Sequence, residues 1–337
     1  MRIAIFGTKG YDRHFLSAAN QGHELHFLEP RLDADTASLG EGFEAVCVFV
    51  NDRLDAAVLA KLAAGGTRLI ALRCAGYNNV DLVAAAELGL TVVRVPAYSP
   101  HAVAEFTVAL LMALDRRIHR AWARVRENNF ALDGLIGRNL HGRVAGVIGT
   151  GRIGALVART LKLGFGCEVL ASDVAEDPEL LAMGVRYVSP RDLLEQVDIV
   201  SLHCPLTPDT RHIINADAIG RARDGLVIVN TSRGALIDTQ ALVAGLKSRK
   251  IGGVALDVYE QEADLFFEDL SNEIIEDDLF QRLLTFPNVL VTGHQAFLTE
   301  EALASIAETT MTNISDFAAG RPLANRVDPQ AAIAPRG

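Results

Sequence analysis

Val144-Ala145-Gly146-Val147-Ile148 runs directly into Gly149-Thr150-Gly151-Arg152-Ile153-Gly154, and residues 155–163 continue with helical patterning. An apolar strand, a glycine turn and an opening helix in this order carry more weight than the glycine spacing, which is weak by itself. Gly149 permits the tight turn, Gly151 lets a pyrophosphate approach the backbone, and Gly154 allows close packing of helix on strand. The helix N-terminus then faces the anion. Nineteen residues beyond Gly154, at the end of the next apolar run, stands Asp173. A carboxylate there accepts from both ribose hydroxyls and repels a 2′-phosphate. Residues 174–178 offer no Arg to hold such a phosphate, so the pattern favours NAD over NADP.

Working outward, apolar β-branched runs at 143–149, 167–173, 198–204, 226–231, 253–258 and 289–292, with a short one at 185–188, alternate with helical patterns. Continuous apolar strands separated by helices predict a parallel sheet covered on both faces. The first hundred residues repeat the theme at 2–6, 24–28, 45–50, 69–73 and 91–95, which predicts a second, smaller α/β unit. Its first turn, Gly7-Thr8-Lys9-Gly10, with Glu29 after the next strand, imitates the fingerprint. It lacks the third glycine, and an ordinary βα turn is the better reading. Between the units, Pro100 opens a helical pattern that runs through Val103, Phe106, Leu110, Leu111 and Leu114 into Arg116-Arg117-Ile118-His119-Arg120, predicting one long bridging helix. A second amphipathic stretch, with Leu298, Ala302, Ile306, Met311, Ile314 and Phe317 on one face, is expected to return the C-terminus to the first unit.

The chain has 337 residues, half of them hydrophobic, which suits about two domains with ample cores and excludes disorder. The longest apolar stretch falls well short of the roughly 18 residues that a membrane span needs, and the start is too short for a secretory core. A cytoplasmic location is expected. Cys47, Cys74, Cys167 and Cys204 are too sparse for a disulfide framework or a paired metal site and read as buried thiols. The net charge of −10 argues against a nucleic-acid surface. Residues 251–281 alone hold ten carboxylates and no Lys or Arg, so that segment equals the whole net charge. It reads as solvated surface, with keeping subunits apart, or contact to the basic 116–126 stretch of a neighbouring subunit, as the alternatives. His23 and His26 invite a metal reading, but on a strand they point to opposite faces.

In an open parallel sheet, ligands bind beyond the carboxyl ends of the strands. Three polar residues follow strand ends there: Arg233 after 226–231, Glu262 after 253–258 and His294 after 289–292. Reduction of a 2-oxo acid needs a fixed cation for the carboxylate, a proton donor for the carbonyl oxygen and a hydride. An Arg fork, an imidazolium and NADH meet those needs. A carboxylate beside the His favours its charged form and fixes its tautomer, a role that fits Glu262.

These motifs, together with Arg73-Cys74-Ala75-Gly76-Tyr77-Asn78-Asn79-Val80-Asp81, Val95-Pro96-Ala97-Tyr98-Ser99-Pro100, His203-Cys204-Pro205-Leu206-Thr207, residues 230–238, Leu265-Phe266-Phe267-Glu268-Asp269 and Thr292-Gly293-His294-Gln295-Ala296-Phe297, resemble the D-2-hydroxyacid dehydrogenase family over essentially the whole chain. They are most similar to its fermentative D-lactate dehydrogenases. The resemblance implies a doubly wound NAD domain (100–295) and a smaller flavodoxin-like substrate domain built from both termini (1–99 and 296–337), closing over a cleft. It also implies reduction of pyruvate to D-lactate, with Arg233 as substrate clamp, His294 as acid/base and Glu262 as its partner.

On the substrate side it assigns Cys74, Ala75, Gly76 and Tyr77 to a loop of backbone donors for the carboxylate, and Tyr98 and Phe297 to the walls around a short side chain. On the cofactor side, Gly149, Gly151, Arg152, Ile153 and Gly154 face the pyrophosphate. Asp173 takes the ribose, and His203, Cys204 and Pro205 the adenine side. Thr231, Ser232 and Asp257 line the nicotinamide side, although a turn-cap role competes for Asp257. Phe106 departs from the family, where His is common, and reads as a packing change. A homodimer or homotetramer is implied. The alternatives are a dehydrogenase for glyoxylate, hydroxypyruvate or a bulkier 2-oxo acid, and an NADH-sensing binding protein.

Overall fold

The computed structural model describes residues 1–328, apart from the side chain of Asp264; the end of the expected C-terminal segment, 329–337, lies outside the described residues. The chain divides into two compact units, Met1–Ser99 with the chain from Phe297 onward, and Pro100–Ala296.

In the first unit, β1 (Arg2–Ile5), β2 (Glu24–Phe27), β3 (Ala45–Val48), β4 (Leu69–Leu72) and β5 (Thr91–Val93) form a parallel sheet in the order β2-β1-β3-β4-β5. Every residue of β3 and β4 is buried, as the unbroken apolar runs require of strands covered on both faces. One face packs Ala4, Val46 and Ile70 against Val58, Leu59 and Leu62 of the helix Ala56–Ala64. The other packs Ile3, Ile5, Cys47 and Leu69 against Ala307, Met311 and Ile314 of the helix Glu300–Ala318. The C-terminal segment thus supplies one of the two layers over this sheet.

The Gly7–Gly10 turn opens a helix, Gly10–Ala18, whose first turn carries Asp12. That carboxylate accepts from the Lys9 backbone N–H at 2.9 Å and pairs with Arg73 Nε at 3.1 Å, with both side chains almost wholly buried. The helix end is therefore completed by its own acid, unlike an anion-binding turn. Breaking a buried pair from one side leaves an uncompensated charge. Asp12→Ala should lose about 3–5 kcal/mol of stability in denaturant melts, and Asp12→Leu combined with Arg73→Met should recover most of it.

In the second unit, β6 (Val144–Ile148), β7 (Glu168–Ser172), β8 (Arg186–Tyr187), β9 (Ile199–Leu202), β10 (Leu226–Asn230), β11 (Ile251–Leu256) and β12 (Val289–Val291) form a parallel sheet in the order β12-β11-β10-β9-β6-β7-β8. The strand order reverses between β6 and β9, which opens a crevice at their carboxyl ends. Helices cover both faces, and two apolar clusters fill the spaces, one around Leu202, Ile228 and Leu256 and one around Val147, Val169 and Val229.

The long bridging helix is corrected. One helix spans Pro100–Asp115 and another Ile118–Arg126, separated by Arg117 in a left-handed conformation (φ 56°). The cause lies far away in sequence, where residues 137 and 138 cross the helix end. A Cβ on Gly137 would lie 2.5 Å from the Asp115 carbonyl oxygen, and the Asp115 carboxylate accepts from Arg138 N–H at 2.9 Å. All four cysteines are buried thiols. Burial pushes Cys47 and Cys204 up to about 11 and also raises Cys167. Among the described residues no helix is long and apolar enough to cross a membrane.

Candidate active site

The glycine turn after β6 is built by backbone contact. Gly149 has φ +90°, and a Cβ there would lie 2.4 Å from Cys204 N. A Cβ on Gly154 would fall 1.8 Å from the Gly149 carbonyl oxygen. Around Gly151 nothing lies within 4 Å of the same position. The helix Arg152–Arg159 that follows has neither a side-chain cap nor an acid in its first turn. Open space at the middle glycine and uncapped first-turn amides fit the pyrophosphate of a dinucleotide. Below this turn His203 contacts Ser201 Oγ through Nε2 at 2.7 Å, and burial pushes its imidazole down to about 4, so it stays neutral near pH 7. Asp173 follows β7 and accepts from Thr150 N–H at 2.5 Å and Val174 N–H at 2.7 Å.

Strands β10, β11 and β12 are neighbours in register, with Asn230 opposite Leu256 and Leu256 opposite Val291. Their following loops therefore emerge side by side, bearing Arg233, Glu262 and His294. Glu262 Oε1 meets His294 Nδ1 at 2.8 Å, and Glu262 Oε2 accepts from Tyr259 N–H at 2.8 Å. The carboxylate is thus fixed at one oxygen and orients the imidazole with the other, leaving Nε2 on the far side of the ring. Arg233 Nη1 donates to Ser232 O at 2.7 Å, and among the described residues no hydrogen bond or ion pair links it to Glu262 or His294.

Sequence reasoning missed three residues that shape this region. Fully buried Asn230 donates from Nδ2 to Arg233 O at 2.8 Å and accepts at Oδ1 from Ser232 N–H at 3.0 Å, clamping the loop that carries Arg233. Gly234 lets that loop lie on the next one, since a Cβ would come within 2.0 Å of the Tyr259 carbonyl carbon. Thr107, on the helix Pro100–Asp115, meets Thr231 hydroxyl to hydroxyl at 2.8 Å. Ser232 Oγ donates to Cys204 O at 2.9 Å, tying the β10 loop to the β9 loop. The Thr107 and Ser232 links join residues distant in sequence, whereas the Asn230 bonds stay within one short loop.

The acidic segment is less solvated than its composition suggests. Asp257 is fully buried, with Oδ1 accepting from Thr292 Oγ1 at 2.5 Å and Gln295 N–H at 2.9 Å, and Oδ2 from Ala296 N–H at 2.8 Å. Burial raises its pKa, and those three donors counter the rise only in part. Glu260 gathers His212 Nε2 at 2.6 Å and Thr239 Oγ1 at 3.1 Å, while Asp277 caps the helix Asp278–Leu284. His294 itself has φ 53°, a conformation costly for a residue with a Cβ. The Asp257 carboxylate grips the two peptides after it and so holds the strained turn. Of the two roles open for Asp257, the turn cap is the one this geometry displays.

In the first unit, the loop after β4 is anchored at both ends. Arg73 pairs with Asp12, and Asn79 Nδ2 donates to Phe49 O at 2.9 Å and Asp52 O at 2.8 Å. Between these anchors, Cys74 Sγ donates to Gly76 O at 3.3 Å, Arg94 Nη1 donates to Ala75 O at 2.8 Å, and the Arg94 guanidinium lies 5.1 Å from the Tyr77 ring centre. The Phe297 ring lies 6.4 Å from Tyr98 and 5.6 Å from Phe49, a neighbour the sequence did not single out. His23 and His26 are engaged separately, by Ser315 Oγ and Glu24.

Residues 108–296 match the family model described as D-isomer specific 2-hydroxyacid dehydrogenase, NAD binding domain. The chain belongs to the D-2-hydroxyacid dehydrogenase family. It is 55% identical over 320 residues to 2-hydroxyacid dehydrogenase homolog 1 of Schizosaccharomyces pombe, covering 94% of this chain and 96% of that protein. The apo-structure of D-lactate dehydrogenase from Escherichia coli superposes with a TM-score of 0.89 at 49% identity, covering 97% of this chain and 100% of that one. D-Lactate dehydrogenase from Aquifex aeolicus, complexed with NAD and lactic acid, gives a TM-score of 0.82 at 33% identity over 94% of this chain and 96% of that one. This D-2-hydroxyacid dehydrogenase is accordingly an NAD-dependent oxidoreductase of a hydroxy acid.

For this dehydrogenase the cap at Asp257 makes a separable prediction. Asp257→Asn should lower thermal stability by about 1–3 kcal/mol through lost acceptors, while NADH affinity by fluorescence titration stays within about twofold. A large loss of NADH affinity at unchanged stability would instead assign the residue to the cofactor.

Proposed function

We propose that this enzyme is a D-lactate dehydrogenase, reducing pyruvate to D-lactate reversibly with His294 as acid/base. The observation that carries the reading is the 2.8 Å contact between His294 Nδ1 and Glu262 Oε1, which gives the imidazole one tautomer and leaves Nε2 to act. NADH, when bound, supplies the hydride. Arg233 holds the substrate carboxylate, aided by backbone donors of the Cys74-Ala75-Gly76-Tyr77 loop. His294 gives the proton from Nε2 to the forming alkoxide, and the neighbouring Glu262 stabilises the imidazolium before transfer. On the cofactor side, Gly149, Gly151, Arg152, Ile153 and Gly154 hold the pyrophosphate and Asp173 the ribose. His203, Cys204 and Pro205 take the adenine side, and Thr231 and Ser232 the nicotinamide side.

A small substrate is supported by the aromatic cluster of Phe49, Tyr98 and Phe297, and by the likeness to D-lactate dehydrogenases at about half identity. A cytoplasmic, fermentative role follows from this reading, because pyruvate reduction returns NAD from NADH. Initial rates of NADH oxidation with pyruvate, glyoxylate, hydroxypyruvate and phenylpyruvate, with chiral analysis of the product, test it. Pyruvate should be preferred and D-lactate formed. Preference for another 2-oxo acid would shift the substrate, and tight NADH binding without turnover would favour a sensing protein. His294→Gln should cut kcat by about 10²–10⁴.

The proposal includes a homo-oligomer, dimer or tetramer, joined through the second unit. The helix Ile118–Arg126 buries none of its residues, and Trp122, Phe130 (69% exposed), Leu132 and Ile136 (89% exposed) show a large apolar surface around it. Trp122→Glu with Ile136→Glu should reduce the mass measured by light scattering to that of a smaller species.

A further inference from the structure

We infer that Tyr187, acting through Thr150, sets the selectivity of this enzyme for NAD over NADP by fixing the carboxylate of Asp173. The inference rests on the reading of Asp173 as the ribose acceptor. Tyr187 lies on the short edge strand β8, opposite Ala171 of β7, and Thr150 is the buried residue between the first two glycines of the turn. Four residues form a directional hydrogen-bond chain. Asp177 N–H donates to the Tyr187 oxygen at 2.9 Å, Tyr187 O–H reaches Thr150 Oγ1 at 2.9 Å, and Thr150 Oγ1 reaches Asp173 Oδ2 at 3.2 Å.

The direction is forced at both ends. A backbone N–H can only donate, and an ionised carboxylate can only accept. Tyr187 therefore gives its proton to Thr150, and Thr150 gives its own to Asp173. The start of the chain is itself pinned, because the Asp177 side chain caps the helix Pro178–Ala182 through Glu179 N–H at 2.8 Å.

Two consequences favour a bare ribose. Asp173 is exposed at the end of β7, where a free side chain would sample several rotamers. With Thr150 N–H and Oγ1 on Oδ2, and Val174 N–H (2.7 Å) and Ala175 N–H (3.4 Å) on Oδ1, the carboxylate is held in one rotamer as a pre-set acceptor for a ribose hydroxyl. The donors that a 2′-phosphate would need are the same groups, Thr150 N–H, Thr150 Oγ1 and Val174 N–H, and Asp173 already takes all three. The adjoining groove is lined by Thr150 with Glu176, Asp177 and Glu179, and the nearby Arg159 is paired with Glu179 at 2.5 Å. Selectivity is thus distributed over a phenol, a hydroxyl and a groove of acids around the single ribose acceptor.

The test is the dissociation constant of NADH and of NADPH, by fluorescence titration, for the parent enzyme and for Tyr187→Phe, Thr150→Ser, Thr150→Val and Asp173→Ala. Tyr187→Phe should raise the NADH constant by about three- to tenfold, the worth of one hydrogen bond, and leave that of NADPH unchanged or lower. Thr150→Val should do at least as much, and Thr150→Ser, which keeps the hydroxyl, should retain the parent ratio. Parallel changes for both cofactors in Tyr187→Phe, or a ratio within twofold of the parent, would overturn the inference. Asp173→Ala separates the two levels. If it leaves the ratio unchanged, the ribose reading fails and the inference with it. If it collapses the ratio while Tyr187→Phe does not, only the inference fails.

Discussion

At the carboxyl end of the second sheet, backbone lies on backbone with no side chain between. The Gly234 position leaves 2.0 Å between a hypothetical Cβ and the Tyr259 carbonyl carbon, and the Gly149 position leaves 2.4 Å to the Cys204 nitrogen. These contacts join the loop after β6 to that after β9, and the loop after β10 to that after β11. The hydrogen bond from Ser232 to Cys204 then ties the β10 loop to the β9 loop, while Asn230 fixes the β10 loop from within. Parallel register does the coarse alignment, and the missing side chains do the fine one. The consequence is a small group of polar residues held by main-chain geometry rather than by their own flexible stems.

Two of the six non-glycine residues with positive φ among the described residues lie where the chemistry is proposed. His294 and Phe267 both have positive φ, and their rings lie 5.6 Å apart. The conformation is costly for Phe267 and less so for His294, since histidine is enriched there among residues with a Cβ. The opposing force is identifiable at His294, where the buried Asp257 carboxylate takes three donors from residues 292–296. A buried carboxylate is expensive to desolvate, and three hydrogen bonds are what make it tolerable. The energy of that buried cap is coupled to the unusual backbone of a single histidine.

Much of this was legible in the amino-acid sequence because parallel strands buried on both faces need unbroken apolar runs, and each such run became a strand whose ends fall within two residues of those expected. The glycine turn, Asp173 and the three strand-end residues were equally visible, since residue type and position after a strand carry their chemistry. What stayed hidden depends on partners remote in the chain. The helix break at Arg117 needs Gly137 and Arg138 to cross Asp115. The acidic run looked solvated because its composition says nothing of Thr292, His212 or Tyr259, which meet Asp257, Glu260 and Asp277. Phe49 gave no signal, being an ordinary apolar residue after a strand until Phe297 is folded beside it.

The buried cysteines bear on how the molecule can be studied. A thiol reacts as its thiolate, and Cys47 and Cys204, pushed up to about 11 and enclosed, present almost none at neutral pH. Cys167 is shifted the same way, and Cys74 is shut in beneath its own loop. A maleimide or spin label should therefore pass over the native chain. One cysteine introduced on an exposed helix face would then be the sole point of attachment, with no need to strip the four natural thiols from the cores they help fill.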